Sequence, residues 1–342
     1  EKTNAPAFTK QFLANHEHPI AQKIVRLREF NKANTTFVET ILEHSHNGRI
    51  HCDFNPLRSD EGGTVTGRFS SSNPNLQQIP ARDPEIKAMI RGLFIPDEGY
   101  KWGSFDYASQ EPRWLAHYCS TLKGANRHPQ IDDVVKMYHS GEADFHQMVA
   151  DIAGISRKQA KTVNLGIMYG MGRGKLAGVM DITEQEAKTL LEKYHEKVPF
   201  VKGIADMTMN RAEQVGHIRT WLGRKCRFDM WQPKSYGYSK PMLLEQAAKE
   251  YGGKAAIKRA FTYKALNRLI QGSSADQTKK AMVDCYADGL TPTLTVHDEL
   301  CFNVENDKQA KRIAKIMTTC VPNLNIPFEV DTALVNNWGE VE

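Results

Sequence analysis

The segment Thr293-Leu294-Thr295-Val296-His297-Asp298-Glu299-Leu300-Cys301-Phe302-Asn303-Val304 sets β-branched and aromatic residues on both sides of a polar tip. That pattern predicts a β-hairpin carrying His297, Asp298 and Glu299 at its turn. A second strand-like run over residues 100–106 ends in Asp106. Each aspartate alone reads as a turn or helix-start residue. On neighbouring strands of one sheet they would meet, although the chain separates them widely.

A helix-period stripe adds to the reading. In Ser156-Arg157-Lys158-Gln159-Ala160-Lys161-Thr162-Val163-Asn164-Leu165-Gly166-Ile167-Met168-Tyr169-Gly170, residues 157, 161, 165 and 169 recur every four positions. On a helix they form one slowly turning line of about 18 Å, cationic at its N-terminal end and aromatic at its C-terminal end. Such a line spans a nucleoside triphosphate, with Arg157 and Lys161 beside phosphates at a helix N-terminus and Tyr169 at the base end. An amphipathic helix with a basic exposed face would look the same. Joining nucleotides requires two divalent ions roughly 3.5–4 Å apart, and Mg²⁺ takes a few carboxylates plus substrate phosphates. Asp106 and Asp298 supply that pair. The stretch Thr64-Val65-Thr66-Gly67-Arg68-Phe69-Ser70-Ser71-Ser72-Asn73-Pro74-Asn75-Leu76-Gln77-Gln78-Ile79-Pro80 is extended and polar between apolar anchors, suited to backbone and sugar contacts on nucleic acid. A Ser-rich surface loop is the ordinary alternative.

Composition bounds the rest. The chain has 342 residues, 40% hydrophobic and 25% charged, which predicts two or three packed subdomains. No run of 18 apolar residues occurs, so no membrane span is expected. The net charge of +5 permits a polyanionic partner without demanding one. Six cysteines without a C-x-x-C pair fit reduced thiols in a cytosol-like compartment. The His44, His46 and His51 group reads as a solvated hairpin loop, since no Cys or carboxylate cluster completes a ligand set. The chain opens at Glu1 without a signal pattern or an initiator Met, which points to a fragment or processed form.

Residues 1 to about 47 read as helical, 48–80 as hairpins and extended backbone, and 112–215 as largely helical. Capping boxes start helices at Ser156 and Thr183. A hairpin is predicted over 217–228 turning at Gly223, and a helical block over 240–287 broken near Gly252-Gly253 and Gly272. A helix over 307–320 and a short strand near 326–332 close the chain. The order is not a regular βαβ alternation, so an α+β architecture with an antiparallel sheet and a helical insertion is expected.

In this order, the motifs resemble the polymerase module of family A DNA polymerases, the bacterial DNA polymerase I type. Thr66 to Pro80 is similar to the family's primer–template segment. Phe105-Asp106-Tyr107-Ala108-Ser109-Gln110-Glu111-Pro112-Arg113 is similar to motif A, Arg157–Gly170 to motif B, and Val296-His297-Asp298-Glu299 to motif C. Asn267 and Gln271-Gly272, before Ala275-Asp276, resemble a segment near the primer terminus. The likeness runs from about residue 16 to Trp338, and its E-P-R form at 111–113 resembles phage members.

The resemblance implies a right-hand fold: a partial, truncated thumb (1–60), palm (61–120), fingers (121–240) and palm again (241–342). It implies template-directed DNA synthesis from dNTPs on primer–template DNA, with two Mg²⁺ ions or Mn²⁺ in their place. Asp106 and Asp298 would bind both metals, with the Tyr107 carbonyl completing one shell and Glu299 in support. Glu111 would exclude a ribose 2′-hydroxyl, with Gln110 beside the nucleotide. His146, Arg157 and Lys161 would hold the triphosphate, and Lys161 could protonate the leaving pyrophosphate. The sugar would meet Leu165, where the family usually presents Phe or Tyr, and Tyr169 would stack at the template position. Arg68, Asn75, Gln78, Arg113, Asn267, Gln271 and His297 would line the primer–template or support the site, with Arg28 and Lys32 on duplex phosphates. Part of the usual thumb, and any proofreading or 5′-nuclease domain, would lie outside this chain; a processivity factor is left open. The cytoplasm of a bacterial or phage-infected cell is the expected compartment. A single-subunit RNA polymerase and a catalytically dead primer–template-binding protein are the alternatives. Glu111 and the T-G-R segment argue against the first, and the intact Asp106, Asp298, Arg157 and Lys161 against the second.

Overall fold

The computed structural model describes residues 8–57, 63–124, 127–141, 144–235, 237 and 239–341. The elements that position the site are, in chain order, α1 (Pro19–Ala33), β1 (Lys101–Tyr107), α2 (Gln110–Thr121), α3 (Phe145–Ala153), α4 (Arg157–Met168), α5 (Glu184–Lys197), α6 (Pro199–Val215), β2 (Met230–Pro233), β3 (Met242–Leu243), β4 (Ile257–Arg259), α7 (Ala265–Ala287), β5 (Leu294–Val296), β6 (Glu299–Val304), α8 (Asp307–Thr319) and β7 (Val330–Val335).

Four strands form the central antiparallel sheet in the order β5-β6-β1-β7. Its two faces follow from the period of two along each strand. Phe105 and Tyr107 of β1, with Leu300, Phe302 and Val304 of β6, are buried in the main hydrophobic core with Trp114 of α2, Ala281 of α7 and Ile313 of α8. Trp102 and Cys301 point the other way, into a second cluster with Trp338, Ile86, Ile90 and Leu76. Ser104 and Asp106 share that second face, at the end where the apolar cover stops. The expected hairpin is β5-β6, with His297 and Asp298 between the strands.

The helical insertion is as patterned. Both capping boxes are present, Ser156 with Gln159 and Thr183 with Glu186, and β-strands at His217–Arg219 and Lys225–Arg227 pair as the expected hairpin. His46 and Arg49 pair across a small exposed hairpin, consistent with a solvated loop there. Three expectations are corrected. The block from 240 to 287 is not wholly helical, since β2, β3 and β4 form a three-stranded sheet of order β4-β2-β3. The last strand begins at Val330, not near 326, because Ile326 and Phe328 are taken into the core before pairing starts. Gly272 does not interrupt α7, a 23-residue helix. Its missing side chain serves packing instead: a Cβ there would stand 2.7 Å from Nη2 of Arg224.

Arg224 ties three segments together, and no motif announced it. Its Nε donates to Asp276 Oδ1 at 2.6 Å, while Nη2 donates to the Thr66 carbonyl at 2.6 Å and the Gly272 carbonyl at 3.0 Å. Removing Arg224 leaves the buried Asp276 carboxylate uncompensated. Arg224→Ala is therefore expected to destabilise the fold by on the order of 3 kcal/mol, read as a lower denaturant midpoint at unchanged slope. An unaltered midpoint would show that the tie carries no stability.

Candidate active site

The sheet register builds the site. Asp106 on β1 faces Glu299 on β6 and Asp331 on β7, directly across both strand pairs. Residues so paired lie on one face of the sheet, with Cβ atoms about 5 Å apart, where like charges repel. Asp298 sits one residue before Glu299, in the turn. His297 opens that turn with φ at +59°, a conformation that costs a non-glycine residue energy and clusters at functional sites. These residues line a cavity of about 810 Å³ that also takes in Arg91 and Ser104.

The carboxylates differ in what holds them. Glu299 Oε1 accepts from Ser104 Oγ at 2.6 Å and from Trp338 Nε1 at 3.3 Å, so its orientation is fixed. Asp106 and Asp298 form no ion pair among the described residues. The Asp106 carboxyl is pushed up to about 7, first by loss of solvent at the crowded strand end, then by Asp298, Glu299 and Asp331. Its side chain nevertheless stays open to the cleft. The Asp298 carboxyl is also raised, chiefly by burial, with Arg68 opposing.

These properties test the fit of a hard divalent cation. Crowded, uncompensated carboxylate oxygens raise one another's pKa until a positive charge arrives. No closed set of three or more His, Cys, Asp or Glu ligands exists among the described residues. Mg²⁺ needs only one or two carboxylates and completes its shell with water and phosphate oxygens, so Asp106 and Asp298 would be enough protein ligands. The residues fit the ion.

Arg68 links the carboxylates to the helical side. Its Nη2 donates to Glu111 Oε1 at 2.7 Å, and Tyr169 OH donates to Glu111 Oε2 at 3.0 Å. Glu111 is buried; burial raises its pKa, and Arg68 and the Tyr169 hydroxyl counter it. A hydrogen-bonded path thus runs from Arg68 through Glu111 to Tyr169, and the Arg68 charge opposes the upward shift of Asp298.

Along α4, Arg157, Lys161 and Tyr169 are exposed and Leu165 is partly so, whereas Ala160, Val163 and Met168 are buried. The basic stripe is therefore the helix's outward line. Asp144 caps α3 by accepting from the His146 and Gln147 backbone N–H groups, and also accepts from Arg157 Nε at 2.6 Å. Buried Asn164 was missed in the sequence. Its Oδ1 accepts from Tyr194 OH at 2.6 Å, which turns its Nδ2 to donate to His146 Nδ1 at 3.0 Å. That bond leaves the His146 proton on Nε2. Burial lowers the His146 pKa, with Asp144 opposing and Lys161 and Arg157 adding, so the ring is a neutral donor.

Chain similarity agrees with this geometry. The sequence pattern of DNA polymerase family A matches residues 2–340. The chain belongs to DNA polymerase family A. It is 38% identical over 379 residues to a DNA-directed DNA polymerase of Pseudomonas phage M6, covering 98% of this chain and 53% of that protein. It is 31% identical over 338 residues to the thermostable DNA polymerase I of Thermus aquaticus, covering 94% of this chain and 36% of that one. The POL domain of Pol1 from M. smegmatis, solved with DNA primer-template and dNTP, aligns with TM-score 0.76 at 28% identity, covering 99% of this chain and 57% of that chain. The chain spans about half the length, or less, of these relatives. Among the described residues no helix is long and apolar enough to cross a membrane.

Two expected site residues of this family A chain point elsewhere. Gln110 is 2% exposed, and its amide donates to the Ser274 carbonyl, Gln277 and Thr278 on α7, so its side chain faces the interior and not a nucleotide. Arg113 is likewise 2% exposed, donating to the Ala108 and Pro327 carbonyls and pairing with Glu329 at 2.5 Å. It clamps the turn after β1, so of its two expected roles it supports the site from within and does not line the surface. The Tyr107 hydroxyl is also internal, bonded to the Met317 carbonyl at 2.7 Å. Arg28, Lys32, Asn75, Gln78 and His297 are exposed, and Asn267 and Gln271 are half-buried on α7. Asp331 is the carboxylate that sequence reasoning missed.

The Asp106 shift has a consequence for stability. An ordinary Asp titrates near about 3.9, so the folded protein binds this proton more tightly than the unfolded chain. The stabilisation is complete below the unfolded value and is lost as pH rises through about 7. In chelator, the native protein is expected to lose more thermal stability between pH 5 and pH 8 than Asp106→Asn does. Parallel pH profiles would contradict the shift.

Proposed function

We propose that this chain extends the 3′ end of a primer with deoxynucleotides selected by a DNA template, in the cytoplasm of a bacterial or phage-infected cell. The observation that carries the reading is the hydrogen-bonded path from Tyr169, at the end of the basic stripe, through Glu111 to Arg68, whose charge in turn acts on Asp298. Asp106 and Asp298, with the Tyr107 carbonyl, would hold two Mg²⁺ ions, Mn²⁺ serving in their place. When bound, such ions activate the primer hydroxyl and stabilise the charge of the departing pyrophosphate.

The chain's own groups do the rest. Arg157 and Lys161 neutralise the triphosphate at the N-terminal turn of α4, and the Nε2–H of His146 donates to a phosphate oxygen. Lys161 Nζ would also give a proton to the leaving pyrophosphate. Leu165 lies under the sugar and Tyr169 at the templating base. Asn267 and Gln271 on α7, with Arg68, Asn75, Gln78 and His297, border the primer–template, and Arg28 and Lys32 reach duplex phosphates. Glu111, with both oxygens engaged, stands as a fixed wall against a 2′-hydroxyl.

Asp298→Asn is expected to slow single-nucleotide extension by about a thousandfold or more while primer–template binding persists. Extension at the native rate would remove Asp298 from the chemistry. Primer extension with matched dNTP and rNTP sets tests the substrate, and preference for rNTPs would favour an RNA polymerase instead. Glu111→Ala is expected to raise ribonucleotide incorporation relative to deoxynucleotide; an unchanged ratio would deny it the role of gate.

A further inference from the structure

Charge is unevenly spread along this chain. Residues 217–268 hold 12 Lys and Arg against 3 Asp and Glu, a net +9, while the whole chain is only +5. The remainder therefore nets −4. Within it, residues 230–259, which carry the β4-β2-β3 sheet, hold six Lys and Arg against two Glu, and this sheet lies outside the candidate active site.

The sheet gathers its cations on an open surface. Lys258 of β4 is the direct cross-strand partner of Gln232 of β2, so both lie on one face. Lys234 continues that pairing, its backbone N–H bonding the Ala256 carbonyl at 2.9 Å. Gln232, Lys234, Ser239 and Lys258 line an open cavity of about 490 Å³. Lys234, Lys240, Lys249 and Lys258 are exposed and form no salt bridge among the described residues. Lys234 and Lys258 thus share one face and one cavity without a counter-charge among the described residues, and a polyanion relieves the repulsion between them.

The sheet is tied to the end of α4 where Tyr169 sits. Arg259 of β4 stacks 4.5 Å over the Trp231 ring and donates to the Glu213 carbonyl on α6 and to the Phe228 carbonyl. The chain then turns through Tyr263, whose carbonyl lies 2.8 Å from where a Cβ on Gly170 would be. Gly170, with φ at +66°, is what allows this contact directly after Tyr169.

We propose that the β4-β2-β3 sheet is a second nucleic-acid contact, which grips the phosphates of the uncopied single-stranded template. This rests on the polymerase reading, which puts the templating base at Tyr169 and sends the strand beyond it past Gly170 and Tyr263. Lysines spaced along an open face suit a backbone followed without regard to sequence.

The test is binding by fluorescence anisotropy to two primer–templates that share a duplex. One carries a single-nucleotide 5′ template overhang, the other an overhang of about ten nucleotides, within single-strand site sizes. The exposed-site variant Lys234→Ala/Lys240→Ala/Lys258→Ala, shown to melt like the native protein, is expected to lose on the order of tenfold affinity for the long overhang. It should keep its affinity for the short one. The slope of log affinity against log salt on the long overhang should fall by about 2, at roughly 0.7 per lysine contact. The matching triple Arg variant should retain the native preference. Equal loss on both DNAs, or no loss on either, would overturn the proposal. Extension of the short-overhang primer is scored separately: its absence in the native protein would defeat the polymerase reading, whereas overhang-dependent affinity is read without any extension.

Discussion

Three carboxylates stand in a row across β6, β1 and β7, and an antiparallel ladder leaves them no freedom to separate. Glu299 faces Asp106, and Asp106 faces Asp331, because the register places them there. Repulsion at such spacing is tolerated only because the opposite face of the sheet is committed to the core: Phe105 and Phe302 meet edge to face at 5.5 Å, both fully buried. A slip by one residue would bring the carboxylates into that core and the rings into the cleft. Packing on one face thus holds together charges that would otherwise disperse on the other. Glu299 is restrained by Ser104 and Trp338, so the oxygens left to seek a cation are those of Asp106 and Asp298, with Asp331 beside them.

What was readable in the sequence is what has a local signature. The β5-β6 hairpin shows in its alternation, the starts of α4 and α5 in their capping boxes, and the basic line of α4 in its period of four. The carboxylate pair became meaningful only together with that line. Arg68 and Glu111 were named through the resemblance, but the contact between them, which joins the two halves of the site, has no local signature at all.

What was unreadable depends on the surroundings. α2 is buried almost all round, from Gln110 to Ser120. It therefore has no amphipathic stripe to say which polar residues turn inward, and Gln110 and Arg113 looked like site residues when they are internal braces. Asn164 lies on the buried side of α4 among apolar neighbours, and its value comes from Tyr194, 30 residues away. Asp331 sits on a strand whose start was misplaced, and without the register it is one more surface carboxylate. Gly272 reads as a break because a glycine in a helix usually costs stability, yet here it makes room for Arg224.

The engagement of Glu111 separates two jobs a buried carboxylate can perform. A general base must have a free oxygen within reach of the proton it takes. Both oxygens of Glu111 are occupied, one by Arg68 and one by Tyr169. Arg68 favours the ionised form against burial, and the Tyr169 hydroxyl bond does the same. An anion so held is poorly placed to accept another proton and well placed to keep its shape. That shape is shared with Tyr169, so a base that displaced the Tyr169 ring would also release one oxygen of Glu111. On the proposed reading, the wall that meets the sugar and the ring that meets the template are one hydrogen-bonded unit. Leu165, one helical turn before Tyr169, makes no polar bond within it. The rigidity of the unit then comes from Arg68 and Glu111, and Leu165 contributes shape alone.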